Sequence, residues 1–152
     1  MKTIFKTSIA LLFCLSAISV FGQKNKTGKP KLFSGFARTI PVSSSTLEKT
    51  MIYKNGETVS IAFNEQLVFK GEVISNEMKY HNLQSVLIRS QNFENTLLQI
   101  SRISEEASEA RYVGRIINPD AADGYELKKD NQNNYSIEKF EISSLLQDCH
   151  SH

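Results

Sequence analysis

Residues 54–63 read Lys-Asn-Gly-Glu-Thr-Val-Ser-Ile-Ala-Phe, and this stretch decides the fold class. Asn55-Gly56 suits both positive-φ positions of a type I′ turn, the tightest link between two antiparallel strands. A two-residue loop there pairs Lys54 with Glu57, Ile52 with Val59 and Thr50 with Ile61. That register sets opposite charges beside the turn and apolar pairs behind it, as cross-strand energetics favour. Past the turn, Val59, Ile61 and Phe63 alternate with Thr58, Ser60 and Ala62, a strand period and not a helical one.

The pattern extends in both directions. Downstream, a turn near Asn64-Glu65 leads to Leu67, Phe69 and Val73, with Gly71 marking a bulge or a close approach of backbones. Tyr80 to Arg89 contains Val86-Leu87-Ile88, which reads as a strand buried on both faces. Residues 92–108 allow two readings, because Phe93, Leu97, Ile100 and Ile103 also fit one face of a helix. A strand from about Asn95 to Ile103 is preferred, since residues 104–108 then make a polar turn into a strand through Tyr112, Gly114 and Ile117. Pro119 ends that arm, Asp123-Gly124 turns the chain into Tyr125-Glu126-Leu127, and residues 130–134 form a loop before Tyr135-Ser136-Ile137. A phase slip near Lys139 moves Phe140 and Ile142 to the other face and predicts a bulge. Upstream, Leu32 to Val42 reads as a first strand, and residues 43–46 cap one short helical turn ahead of Leu47 and Glu48. The whole predicts one all-β domain over residues 32–147, an antiparallel β-sandwich or open β-barrel of about seven or eight strands with at most one short helix.

The first 22 residues have a different character. Lys2 and Lys6 precede an apolar run from Ile9 to Phe21, the length of a signal-peptide core and short of the roughly 20 apolar residues a spanning helix needs. Val20 and Gly22 offer small or modest side chains at a cut after Gly22. A lipoprotein reading at Cys14 fails on bulky Phe13, where a small residue is required. Residues 1–22 therefore read as a signal peptide, and the protein as secreted or periplasmic. Residues 23–31, with four lysines and no acid, read as a flexible basic leader. No later stretch is apolar enough to span a bilayer. Residues 23–100 carry ten basic and six acidic side chains, and residues 101–152 six and ten. This split argues against nucleic acid, which calls for a concentrated basic face.

Candidate chemistry is sparse. The chain has no Gly-rich phosphate loop, His-Glu-x-x-His, Cys-x-x-Cys or Gly-x-Ser-x-Gly. Any histidine-based triad has to be built on His81, and the Glu105-Glu106 pair falls in the expected polar turn. Residues 148–152, Asp-Cys-His-Ser-His, form a C-terminal tail. Cys149, His150 and His152 there are weak metal candidates, of suitable ligand type but in no structural-site spacing. With Cys14 removed, Cys149 is unpaired and cannot form an intrachain disulfide, so it reads as a reactive thiol and any disulfide as one between chains. Residues 118–124 have a calcium-loop flavour without the closing Glu and read better as a β-turn. Asn25-Lys26-Thr27 and Asn134-Tyr135-Ser136 match the glycosylation sequon. No cofactor is expected.

From Phe69-Lys70-Gly71-Glu72-Val73, through Tyr112-Val113-Gly114-Arg115-Ile116, Gly124-Tyr125-Glu126-Leu127 and Tyr135-Ser136-Ile137 to Asp148-Cys149, the order of elements resembles the β-rich prodomain that precedes some secreted zinc metallopeptidases. The resemblance covers residues 65–149 and implies a protease- or protein-binding role. The catalytic domain and its zinc helix are absent from this chain. The leading expectation is a non-enzymatic secreted binding or accessory module for an extracellular or envelope protein, with exposed aromatics among Tyr80, Tyr112, Tyr125 and Tyr135 at its surface. A small-ligand carrier with a barrel cavity comes second, and a hydrolase around His81 third.

Overall fold

At the position of the expected first hairpin arm the chain forms a helix. In the computed structural model, which describes residues 28–105 and 108–142, the Ser43 hydroxyl accepts the Thr46 N–H at 3.2 Å and caps α1, Ser44–Met51. Leu47, Thr50 and Met51 recur at helical spacing and are buried together, which stabilises the helix through one apolar face. The pairing of Thr50 with Ile61 and Ile52 with Val59 is therefore wrong: Thr50 and Met51 are helical, and Ile52 closes the helix with its N–H on the Lys49 carbonyl. Asn55-Gly56 is still a turn, with Glu57 N–H donating to Lys54 O at 3.0 Å. Only Gly56 of the two takes positive φ, at +80°, as in a type II turn that links a helix to a strand.

The strands are β1 Thr39–Val42, β2 Thr58–Ala62, β3 Val68–Tyr80, β4 Leu83–Ser90, β5 Leu97–Glu105, β6 Ser108–Ile117, β7 Asp123–Lys129 and β8 Tyr135–Glu141. They form one antiparallel sheet in the order β1-β8-β7-β6-β5-β4-β3-β2. From β2 to β8 each strand pairs with the next in sequence, and β1 returns to pair with β8. The edges β1 and β2 are not paired with each other, so the sheet curls into an open half-barrel, the open-barrel form of the predicted all-β domain. Residues 97–105 are a strand, as preferred over the helical alternative.

Alternation fills the concave side. Val59 and Ile61, Phe69 and Val73, Val86 and Ile88, Leu98 and Ile100 are all buried there. Leu47 of α1 fills the interior against Phe63, Ile100, Tyr125 and Ile137, leaving a cavity of about 10 Å³, at the lower limit for a single water. Gly71 is the expected close approach: a Cβ there would lie 2.3 Å from Arg89 O.

Several local expectations are corrected. Val86 and Ile88 are fully buried but Leu87 between them is only half-buried, because the outer face is not covered. The β7–β8 register runs unbroken from Asp123↔Glu141 to Lys129↔Tyr135, so there is no bulge at Lys139. That lysine keeps its inward phase and carries its ammonium out to Phe36 O at 2.5 Å along its apolar stem. The bulges lie instead at Val73/Ser75 and Met78/Tyr80 and at Ile103/Glu105. The first strand begins at Thr39, not Leu32, because residues 33–36 turn back: Phe36 N–H bonds Phe33 O, and Phe33 packs edge-on against Tyr125 at 5.3 Å. The end of the basic leader also lies on the domain, with Ala122 N–H donating to Pro30 O at 2.8 Å and Lys29 Nζ to Pro119 O.

Candidate functional site

The four tyrosines expected at the surface separate by strand phase. Tyr112, Tyr125 and Tyr135 are buried, since they alternate in step with Ile116, Leu127 and Ile137 on the concave face. Their place at an exposed binding surface is thus corrected. Tyr80, 69% exposed, pairs with Leu83 at the end of the β3–β4 hairpin. Tyr125 belongs to the core: its hydroxyl donates to Ala37 O at 2.6 Å, and burial followed by the Asp123 charge pushes its pKa up to about 12. Asp123 itself is buried and accepts the Phe33 N–H at 3.1 Å, which ties the N-terminal turn to β7.

Tyr112 and Tyr135 come together at the helix-covered end of the sheet. Their rings meet edge-on at 5.7 Å, and the Tyr135 hydroxyl accepts the backbone N–H of Tyr112 at 3.1 Å. This bond reaches from β8 past β7 to β6, where β6 and β7 have parted, since those two share only the pairs Arg115↔Glu126 and Ile116↔Tyr125. Lys129 Nζ lies 5.6 Å from the centre of the Tyr135 ring, a cation–π distance. Arg102 is the cross-strand neighbour of Tyr112 on one side and of Gln84 on the other, in phase with inward Leu98 and Ile100. Its Nε is buried and has no hydrogen-bond partner among the described residues. Burial raises the Tyr112 pKa, the Glu48 charge adds to the rise, and Arg102 opposes it. Sequence reasoning missed Arg102, although a charged residue in the apolar phase of a strand was a legible signal.

The outer face of β4, β5 and β6 is a second candidate surface. Leu97 pairs with Ile117, Ser101 with Val113, and Leu87 with Gln99. Leu97, Val113 and Ile117 are 36%, 37% and 36% exposed, while Leu87 and Ile103 are half-buried among them. Ser85 and Ser101 are buried in the same face, their hydroxyls 3.0 Å apart. Between Val113 and Ile117, opposite Gln99, Arg115 donates twice to Glu126 Oε1, from Nε at 3.1 Å and Nη2 at 2.7 Å, and Lys128 pairs with the other oxygen of Glu126. Partial burial raises the Glu126 pKa, but the bonds from Lys128 and Arg115 outweigh it and hold the carboxyl below its ordinary value.

The remaining chemical candidates are not brought together. His81 is exposed in the turn between β3 and β4. Asn118 spends its amide on Glu94 O and Thr96 Oγ1 and its oxygen on Asp120 N–H, the β-turn expected in place of a calcium loop. The residues expected to form the signal peptide, Cys14, Glu106, Cys149, His150 and His152 lie outside the described residues, and of Glu105 only its place at the end of β5 is described. Among the described residues no group of three or more His, Cys, Asp or Glu is placed to hold a metal, and no helix is long and apolar enough to cross a membrane. Searches of family models, curated proteins and solved structures found no match to this chain.

Proposed function

We propose that this chain is an exported, non-enzymatic module that binds an extracellular or envelope protein through the outer face of β4, β5 and β6. The observation that carries the reading is the open Leu97–Ile117 pair, with Val113 further along the same face beyond the Gln99–Arg115 pair. Exposed aliphatic groups gathered on one face, interleaved with polar side chains, are the pattern that contact with a partner buries. The buried serine pair keeps part of this face low, and Arg115, between Val113 and Ile117, is neutralised by Glu126. Arg89 beside Leu97 and Arg111 beside Ile103 are exposed on the same face, so the partner that covers it sets acidic groups opposite them around its apolar contact. Tyr80, at the end of the same face, adds a rigid aromatic contact.

The filled interior supports this reading over the carrier, since a cavity of about 10 Å³ is far smaller than the several hundred Å³ of ordinary ligand sites. The resemblance to metallopeptidase prodomains points to the same class of role. Affinity capture from an extracellular fraction with the purified protein is the test. A specific partner is expected. Turnover in a broad hydrolase screen with no partner captured would overturn the proposal.

A further inference from the structure

We propose that the free edge of β2 is a self-association surface, where two copies of this chain join their sheets by antiparallel pairing of β2 with β2. The inference is independent of the outer-face reading, since β2 is an edge of the sheet and its pairing leaves β4, β5 and β6 open.

The two edges of the half-barrel differ. On β1, Lys139 N–H donates to Arg38 O, and the register makes Ile40 and Val42 the next residues to bond β8. Thr39 and Pro41 therefore turn their main chain to the open side, and Pro41 has no N–H to offer there, a common guard of an edge strand. On β2, Val73 N–H donates to Glu57 O and Phe63 N–H to Leu67 O. Alternate positions from 57 to 63 thus bond β3, and Thr58, Ser60 and Ala62 turn N–H and C=O to the open side. There they meet no hydrogen-bond partner among the described residues. All three are exposed, the strand contains neither a charge nor a proline, and its register with β3 has no bulge. Such an edge is a template for a further strand.

Charge and space select a second copy as the source of that strand. On the outer side of β3, Glu72 stands beside Thr58 and Lys70 beside Ser60. Both are exposed, and neither forms an ion pair among the described residues, although Glu72 is also the cross-strand neighbour of Arg89. With a two-fold axis at Val59, Thr58 of one copy pairs with Ser60 of the other. Each Glu72 then lines up with the Lys70 of the other copy across two small side chains. The span is three strand spacings, roughly 14 Å, which extended glutamate and lysine side chains close from both ends. The same register brings Gly56 and its turn beside Ala62 of the other copy. Ala62 borders a groove of about 740 Å³ whose opposite wall includes Pro41, Val42 and Ser43, so the turn has room. Pairing β2 with β2 consumes both open edges, and Pro41 opposes extension through β1, so the assembly closes at two copies. The contact is one short strand pair, smaller than a standard interface, and its dissociation constant should be roughly 10 to 300 µM.

The test is sedimentation equilibrium of the purified protein up to about 1 mM, well above the expected dissociation constant, with a reductant present to remove any dimer held through Cys149. A reversible equilibrium between monomer and dimer is expected. Ser60→Pro removes an N–H that the β2–β3 ladder does not use, so it should weaken the dimer at least tenfold with the thermal midpoint nearly unchanged. Lys70→Glu lines up like charges at both ends of the contact and should weaken the dimer about tenfold. Adding Glu72→Lys to it exchanges the two charges and should bring the dimer back to within about threefold of the wild type. A chain that stays monomeric throughout would overturn the inference, as would growth past two copies. So would a folded Ser60→Pro that dimerises like the wild type, or a double exchange as weak as Lys70→Glu alone. Val113→Glu should leave the dimer intact; its loss there would put the contact on the outer face and overturn the β2 edge. Loss of partner capture in Val113→Glu with the dimer intact keeps the two readings apart.

Discussion

Tyr125 lets the packing of the half-barrel be read through pH. Its ring is fully buried, its hydroxyl donates to Ala37 O at 2.6 Å, and its pKa stands at about 12 against an ordinary 10.0. The phenol is thus kept neutral by the fold. Below pH 10 both folded and unfolded chains hold the proton, and its contribution is complete. As pH rises from 10 to 12 the unfolded chain loses the proton while the folded chain keeps it, so stability falls; above 12 the loss levels off. The displacement corresponds to about 2 to 3 kcal/mol. Tyr125→Phe removes one hydrogen bond, about 1 kcal/mol at neutral pH, and removes this alkaline loss as well. The two proteins should therefore cross. Urea unfolding followed by circular dichroism should find the wild type more stable by about 1 kcal/mol at pH 7, equal near pH 11, and less stable above it. Lysines and Tyr112 titrate alike in both and cancel in the comparison. A difference between the two proteins that stays constant from pH 7 to pH 11.5 would refute the reasoning.

Two further outcomes follow from local geometry. Gly71→Ala puts a Cβ 2.3 Å from Arg89 O and 2.8 Å from Ile88 Cγ2, and should lower stability by about 2 to 3 kcal/mol, read as a fall in the thermal midpoint. Asp130 accepts backbone N–H groups from Asn134 and Gln132, and the Asn134 bond leads in holding its carboxyl below the ordinary value. The β7–β8 loop should therefore stay ordered above the ordinary carboxyl pKa and loosen as pH falls through the lowered one, seen as faster amide exchange at Asn134. Asp130→Asn should make that exchange insensitive to pH over the same window, after correction for intrinsic rates.

The strands were legible because their alternation is local. Val59 to Phe63, Phe69 to Val73 and the run through Ile116 each carry their burial pattern in a few residues. The first hairpin was misread because Leu47, Thr50 and Met51 satisfy a helical spacing at the same time as Ile52 satisfies a strand pairing. Ser43, whose hydroxyl caps α1, is the residue that decides between them. Lys139 was misread by type: a lysine in the inward phase suggested a slip, whereas carbonyls of the N-terminal turn receive its ammonium. Those carbonyls lie about a hundred residues away in the chain, beyond any local pattern. The return of β1 to β8 is hidden for the same reason. For the binding surface, residue type misled where phase did not. Tyrosine favours interfaces in general, but the alternation beside Ile116, Leu127 and Ile137 had already turned three of the four inward.

On the proposed function, Leu97, Val113 and Ile117 lie in the contact with a protein partner. The most direct measurement is capture of that partner by the wild type, by Val113→Glu, and by Lys49→Gln on the exposed side of α1 as a control, with thermal midpoints confirming that all three are folded. A carboxylate placed on the buried side of that contact should weaken capture at least tenfold, while Lys49→Gln leaves it unchanged. Equal capture by the wild type and Val113→Glu would contradict the account.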